Sequence, residues 1–229
     1  MDATNLPRTL AVIPDGNRRW AELHKLSILR GYGKGVTKFI EFSEWCMEYG
    51  INSITVWAFS TENLLRNNRE VNTLFGIYKK VANDRSILER LHKNMTRLNI
   101  IGNKSLIPKD LNAALKKIEA ETSAYSERQI NMLIGYGGKD DILHAAKSVA
   151  MRPSEINEEA IGAGLISSQV HNIDFVIRTS GEKRLSGFLP WQTFYSELYF
   201  SDKLWPDFTK SDLHSALLEY ASRDRRFGR

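Results

Sequence analysis

The segment Asp15–Trp20, which reads DGNRRW, brings a carboxylate, a glycine and two arginines together within six residues. The glycine allows the backbone to approach a ligand closely, and a helix that begins here would offer free N–H groups to a phosphate. Arginine supplies charged donors that match phosphate geometry. The same anion would repel the aspartate unless a cation bridged them, and Mg²⁺ is the natural bridge to a diphosphate. A capping aspartate beside surface arginines is the alternative interpretation.

Two further segments have polar groups that suit an anion. Residues Arg178–Ser186, RTSGEKRLS, contain three basic side chains, hydroxyls and a glycine, which is typical of an oxyanion site, although a solvated basic loop has the same composition. Residues Ser60–Arg66, STENLLR, follow an aromatic run directly, and an ordinary polar loop with a capping serine is the alternative there. Two anion sites would suit two phosphorylated substrates or one long substrate.

The elements that must position these segments alternate between short apolar runs and longer stretches of helical period. The predicted strands are Thr9–Ile13, Ile51–Phe59, Arg97–Ile101, Gln129–Ile134, Ile173–Ile177 and Glu197–Phe200. The predicted helices are Val36–Tyr49, Val71–Leu91, Pro108–Glu121, Asp140–Ala150 and Ser211–Arg223. This order predicts an α/β fold: a single domain over residues 1–229, with a mainly parallel central sheet flanked by helices. Such sheets bind ligands at the carboxyl ends of their strands, so we expect the three polar segments to gather on one edge.

The composition of the chain excludes several classes of protein. It has 229 residues, of which 42% are hydrophobic and 26% charged, so it can fold around a core. The single cysteine excludes an intramolecular disulfide framework and a Cys-rich zinc site, and no apolar run approaches the ~20 residues that span a bilayer. We therefore expect a soluble, cytoplasmic protein. The net charge of +5 predicts an anionic partner, but the arginines do not alternate with aromatic residues along one element, so we expect no nucleic-acid binding.

Five segments, in their order along the chain, resemble the signature regions of the cis-prenyltransferases, the undecaprenyl diphosphate synthase family. They are Asp15–Trp20, Ala58–Asn63, Tyr136–Gly138, Ile177–Glu182 and the region from Glu197 to Phe208. The resemblance covers residues 10–228, and the DDxxD motif of trans-prenyltransferases does not occur. It implies an undecaprenyl diphosphate synthase-like fold. It also implies a Mg²⁺-dependent enzyme that condenses isopentenyl diphosphate, or a related prenyl diphosphate, with an allylic prenyl diphosphate, forms Z double bonds and releases diphosphate.

The resemblance also implies roles for individual residues. Asp15 is the implied catalytic residue and Mg²⁺ ligand, Asn63 takes part in proton removal, Glu197 is a second Mg²⁺ ligand, and Glu70 is a helix carboxylate near the site. The implied allylic cradle is formed by Gly16, Asn17, Arg18 and Arg19, and the isopentenyl diphosphate site by Arg178, Arg184 and Ser186. The other implied substrate-binding residues are Trp20, Tyr32, Ser60, Thr61, Glu62, Leu64, Arg66 and Leu185.

A homodimer is implied as well, in which Arg226 and Gly228 of a C-terminal Arg-x-Gly reach into the partner's active site. A peripheral membrane contact would serve product release. Apolar residues of 36–45 and 72–81 are candidates to line a tunnel for the product, with plain core packing as the alternative.

The chain also departs from the family pattern. Tyr32 stands where the family has histidine, Leu64 replaces a tryptophan, and Lys183 and Gly187 change the basic loop. These departures leave open the product length, the allylic substrate and the regiochemistry of coupling. They also motivate an alternative function, a prenyl-diphosphate-binding subunit of a heteromeric prenyltransferase with little activity alone.

Overall fold

Six parallel strands form one sheet at the centre of the structure, a computed structural model that describes residues 5–150 and 156–225. The strands are β1 Thr9–Ile13, β2 Ser53–Ser60, β3 Thr96–Ile101, β4 Arg128–Tyr136, β5 Phe175–Arg178 and β6 Glu197–Phe200. Their order across the sheet is β3-β4-β2-β1-β5-β6. The sequence predicts the bounds of β1 and β6 correctly and those of the other strands to within two residues. The mainly parallel α/β sheet is confirmed, and every strand pair in the described residues is parallel.

Helices cover both faces of the sheet. They are α1 Asn17–Leu23, α2 Ile28–Glu48, α3 Asn68–Ala82, α4 Arg85–Lys93, α5 Lys109–Glu121, α6 Gly138–Val149, α7 Glu158–Gly164 and α8 Lys210–Ser222. Residues Leu10, Ala11 and Val12 of β1 are completely buried, as expected for a central parallel strand covered on two faces. One core cluster joins β1 and β5 to Phe42 of α2 and to Trp205. None of the helices in the described residues is long and apolar enough to cross a bilayer.

Helix α2 begins eight residues before the predicted start at residue 36. Its glycine-rich first turns are helical because glycine lets this helix pack directly against α1. A Cβ at Gly31 would lie 2.6 Å from the Asn17 carbonyl oxygen, and a Cβ at Gly35 would lie 2.1 Å from Asn17 Oδ1. The side chain of Ser27 caps the helix by accepting the Arg30 N–H at 3.4 Å. This early start brings Tyr32 into the site region.

The single helix predicted over residues 71–91 is wrong, because the structure has two helices there. Helix α3 ends at Ala82, and the Asp84 side chain caps α4 by accepting the Ser86 N–H at 2.9 Å. Asn83 and Asp84 have short polar side chains that favour helix ends over helix interiors. Helix α7 is absent from the sequence prediction, and its N-terminus is capped by Asn157.

Candidate active site

The carboxyl ends of β1, β2 and β5 meet at one edge of the sheet, where a cavity of about 880 Å³ opens. The three polar segments predicted from the sequence gather there. The predicted site residues that line the cavity are Asp15, Gly16, Asn17, Arg18, Arg19, Tyr32, Ser60, Glu62, Asn63, Arg66, Arg178, Arg184 and Ser186.

The turn between β1 and α1 presents Asp15 to the cavity. Gly16 has a φ of +106°, and a Cβ at this position would lie 2.9 Å from a side-chain carbon of Leu204, so the turn requires glycine. Asp15 Oδ1 accepts the Gly16 N–H at 2.7 Å, and Oδ2 accepts a hydrogen bond from Arg178 Nη2 at 3.0 Å. No side chain caps the N-terminus of α1. The carboxylate of Asp15 is therefore fixed in orientation while its side chain remains 37% exposed.

Arg178 anchors the basic loop that follows β5. Its side chain is only 6% exposed, and its charge is paired with Asp15. Its Nη1 donates to the Arg184 carbonyl oxygen and, at 3.0 Å, to Ser186 Oγ. Thr179 Oγ1 donates to the Asp15 carbonyl oxygen at 2.7 Å, which joins the loop to the β1 turn. Arg178 thus acts mainly as a scaffold for the more exposed groups of the loop.

Two half-exposed arginines meet at Glu182, on the rim of the cavity. Arg19 Nη2 lies 3.5 Å from Glu182 Oε1 and donates to the Ser180 carbonyl oxygen at 3.1 Å, while Arg184 pairs with the other carboxylate oxygen of Glu182. Ser180 has a φ of +79°, a strained conformation of the kind that concentrates at functional sites. Glu182 has no role among the predictions from the sequence. Its place between Arg178 and Arg184 in the RTSGEKRLS segment was the available signal, whereas its contact with Arg19 depends on the fold.

A second cationic group forms around Glu70 and includes Arg18, from the segment that carries Asp15. The side chain of Glu70 is 2% exposed and accepts hydrogen bonds from the Tyr32 hydroxyl at 2.8 Å and from Arg66 Nη1 at 3.0 Å. Arg18 Nη1 lies 3.8 Å from its second carboxylate oxygen. Burial raises the pKa of Tyr32 well above its usual value, and Glu70 raises it further against the opposing effect of Arg66. Tyr32 therefore stays protonated and keeps donating to Glu70.

The segment after β2 is held by a reciprocal cap. Ser60 Oγ accepts the Asn63 N–H at 3.2 Å, and Asn63 Oδ1 accepts the Ser60 N–H at 3.1 Å. The structure therefore contains the capping serine that was the alternative interpretation of this segment. The same residues line the cavity, so this segment combines a structural cap with a place in the site. The cap fixes the Asn63 amide at the cavity wall.

Four of the predicted substrate-binding residues do not line the cavity. Trp20 Nε1 donates to Asp207 Oδ1 at 2.7 Å, and Thr61 lies against Gly137. Leu64 and Leu185 pack against two separate hydrophobic clusters. Their assigned roles stay predictions.

Glu197 lies far from Asp15 within one chain. It begins β6 and pairs with Phe175, whereas Arg178, at the cavity end of β5, pairs with the last residue of β6. Its carboxylate pairs with Arg223 at 2.6 Å. The structure therefore does not bring Glu197 to the site from the same subunit, and its metal-ligand role stays a prediction. Arg226 and Gly228 lie outside the described residues.

The donor set of the cavity fits Mg²⁺ that arrives together with a diphosphate. Among residues 5–150 and 156–225, no cluster of three or more His, Cys, Asp and Glu side chains could hold a metal by itself. Mg²⁺ is commonly bound by one or two carboxylates together with substrate phosphate oxygens and water. The partly exposed Asp15 carboxylate, which lines the cavity together with both cationic groups, meets that requirement.

Beyond the polar rim, the cavity continues as an apolar tunnel between α2, α3 and the sheet. Its apolar lining includes Val36, Phe39, Ile40, Leu74, Ile77, Val81, Leu98, Ile130 and Met132. Both segments proposed from the sequence, 36–45 and 72–81, thus contribute to the lining, although Trp45 instead lies under the Lys38 ammonium at 5.1 Å. The site is built to hold an anionic head group attached to an apolar chain.

Comparisons with known proteins agree with this geometry. Residues 13–228 match the family described as "Putative undecaprenyl diphosphate synthase". The chain is 40% identical to a tritrans,polycis-undecaprenyl-diphosphate synthase (geranylgeranyl-diphosphate specific) of Thermoplasma acidophilum, over 97% of this chain and 89% of that protein. It is also 40% identical to an isoprenyl transferase of Thermus thermophilus, over 98% and 89%.

A solved structure extends the likeness to three dimensions. The crystal structure of lavandulyl diphosphate synthase from Lavandula x intermedia, in complex with dimethylallyl diphosphate, superposes with a TM-score of 0.93. It is 32% identical and covers 99% of this chain and 100% of that one. These relatives are named as synthases and transferases, so the alternative of a prenyl-diphosphate-binding subunit with little activity alone is not supported. The chain belongs to the undecaprenyl diphosphate synthase family, the cis-prenyltransferases, and is an enzyme that transfers prenyl groups.

Proposed function

We propose that this enzyme condenses isopentenyl diphosphate with an allylic prenyl diphosphate in a Mg²⁺-dependent reaction, forms Z double bonds and releases diphosphate. The observation that carries the proposal is that Asp15 lines one cavity together with two arginine groups, and that this cavity continues as an apolar tunnel. One arginine group lies on the tunnel side and suits the allylic diphosphate, whose chain would enter the tunnel. The other lies on the basic loop and suits the diphosphate of the acceptor.

On the allylic side, Arg18 and Arg66 would hold the diphosphate that leaves. Negative charge develops on this group as its bond to the allylic carbon breaks, and cations already fixed in place stabilise that charge with little reorganisation. Glu70 contacts both arginines and so positions them. The Tyr32 hydroxyl accepts a hydrogen bond from Arg66 and donates one to Glu70, which holds Arg66 further in place. Mg²⁺, held by Asp15 and the diphosphate oxygens, would add positive charge to the leaving group.

On the acceptor side, Arg184 and Ser186 would bind isopentenyl diphosphate so that its alkene faces the allylic carbon. Holding two reactants in this orientation is itself a large part of such catalysis. A new carbon–carbon bond forms as the allylic carbon–oxygen bond breaks, and a proton then leaves the acceptor. The Asn63 side chain is a neutral amide, so it would orient the acceptor while a diphosphate oxygen takes the proton.

The volume and length of the tunnel favour chain elongation. The cavity of about 880 Å³ extends far beyond the diphosphate groups, past α3 to residues of α4 and α5. We therefore propose an allylic starter of several isoprene units and a longer polyprenyl product. The high TM-score to a lavandulyl diphosphate synthase favours a second candidate, the synthesis of a short branched product. A short product would leave most of this tunnel unused.

We also propose that residues 1–229 form one catalytic domain that acts as a cytoplasmic homodimer. The resemblance supports the dimer, with Arg226, Gly228 and Glu197 as the residues to test across the subunit interface. A peripheral membrane contact would let a long apolar product leave the tunnel without entering water.

Incorporation of labelled isopentenyl diphosphate into solvent-extractable product tests the proposal. The purified enzyme should incorporate label with an allylic diphosphate and Mg²⁺, and it should stop when the divalent metal is chelated. Asp15→Ala should abolish turnover in a protein that still folds, although its melting temperature should fall because the buried Arg178 loses its charge partner. Asp110→Ala is the matched control, because it removes an exposed carboxylate paired with Lys79, away from the cavity. Full activity of Asp15→Ala would overturn the assignment.

A further inference from the structure

The far end of the tunnel reaches the protein surface between α2 and α4. Four residues, Glu44, Met47, Arg90 and Asn94, line both the tunnel and a separate polar groove on the outside of the protein. The groove is otherwise lined by Glu48, Ser86, Glu89, Lys93 and Arg128. Only a thin layer of side chains therefore separates the apolar interior from the exterior at this point.

An ion pair crosses this thin layer. Arg90 Nη1 of α4 donates to Glu44 Oε1 of α2, and the two side chains are 54% and 42% exposed. The residues of α2 that line the tunnel recur every three or four positions from Tyr32 to Met47, a distance of about 22 Å along the helix axis. The ion pair thus lies at the opposite end of the tunnel from the diphosphate site.

Two properties of this ion pair decide how it meets an apolar chain. A chain that reaches the closed pair would strip water from charged groups without offering them hydrogen bonds, which is unfavourable. The pair itself is exposed, and such pairs contribute little to stability, so it can separate without disturbing the fold. The same position can therefore stop a chain or release it, depending on the pair.

We propose that the Glu44–Arg90 ion pair closes the far mouth of the tunnel and sets the length of apolar chain that the enzyme accommodates. The effect on product length rests on the proposed function. The closure itself is a property of the tunnel, and it can be measured without turnover.

Binding of saturated n-alkyl phosphates of increasing length measures the closure directly. In wild-type protein, calorimetric affinity should rise about fourfold for each methylene that becomes buried, until the chain reaches the pair, and then level off. In Arg90→Ala the rise should continue to longer chains. The charge-swapped double variant, Glu44→Arg with Arg90→Glu, should return the plateau to the wild-type length. Arg85→Ala is the matched control, because it breaks an exposed ion pair on α4 that does not line the tunnel.

Product analysis gives the second measurement. Arg90→Ala should shift the distribution of products upward by at least one isoprene unit, and the charge-swapped variant should reverse the shift. A plateau and a product length that stay at wild-type values in a folded Arg90→Ala protein would overturn the inference. If that variant fails to fold, Glu44→Ala removes the other partner of the same pair and makes the same test. If the affinity plateau moves to longer chains in Arg90→Ala but the wild-type enzyme does not elongate any allylic diphosphate, the closure is supported and the proposed function is overturned.

Discussion

Glu70→Gln is the most informative perturbation of the second cationic group, because Glu70 is a buried carboxylate in contact with both of its arginines, Arg18 and Arg66. Tyr32 and Arg66 both donate to Oε1 of Glu70, so the carbonyl oxygen of a glutamine could still accept both hydrogen bonds, but without the negative charge. A hydrogen bond to a charged group contributes about 1.5–3 kcal/mol and one between neutral groups about 0.5–1.5 kcal/mol, so we expect a loss of about 2 kcal/mol of stability over the two bonds. For a chain of this size, that corresponds to a melting temperature lower by roughly 4–8 °C.

The loss should stay near this value because neither arginine would be left buried and unpaired. The side chains of Arg66 and Arg18 are 30% and 49% exposed and can turn towards water. Ordering them again around a diphosphate would cost about 0.5–1.5 kcal/mol for each side chain. We therefore expect the KM for the allylic diphosphate to rise roughly 5- to 150-fold. The KM for isopentenyl diphosphate should change little, since Arg178 holds its loop through separate contacts.

Thermal melting and steady-state kinetics with each substrate varied in turn provide the assay. Tyr32→Phe is the graded control, because it removes one hydroxyl and leaves the Arg66–Glu70 pair in place. Its effects should have the same direction and a smaller size. A Glu70→Gln enzyme with wild-type melting temperature and an unchanged allylic KM would refute the view that Glu70 positions these arginines.

Two further predictions concern the packing of α2 and the basic loop. Gly35→Ala should destabilise the protein by about 1–3 kcal/mol in chemical denaturation and weaken diphosphate binding, because the new Cβ would collide with Asn17. Gly33→Ala, two residues earlier in open space, should instead stabilise it by about 0.5–1 kcal/mol, and equal effects of the two changes would contradict the packing argument. Arg184→Ala should raise the KM for isopentenyl diphosphate roughly 10- to 150-fold and leave the allylic KM nearly unchanged, whereas the reverse pattern would exchange the two sites.

The sheet and its polar edge could be predicted because they depend on local patterns. Apolar runs of strand length marked β1 and β6 with correct bounds, and polar segments after the strands marked the edge where the cavity opens. The start of α2 could not be predicted locally. Its glycines favour loops by propensity, yet close packing against Asn17 makes them the residues that a helix needs there.

The network of the site depends on tertiary contacts that no local pattern contains. Tyr32 and Glu70 are 38 positions apart in sequence, and their hydrogen bond exists only because α2 and α3 pack together. Glu197 illustrates the opposite case. As the first residue of a parallel strand, it belongs to the amino end of the sheet, away from the edge that holds Asp15, and the predicted strand bounds already contained that information.

The proposed function requires that this site elongate an allylic chain by adding isopentenyl units in the Z configuration. The most direct measurement is mass analysis, with NMR assignment of the new double bonds, of the products formed by the purified enzyme from a panel of allylic diphosphates, isopentenyl diphosphate and Mg²⁺. We expect a series of products that differ by single isoprene units, with a Z double bond in each added unit. A single short branched product, or no product from any member of the panel, would refute the proposed function.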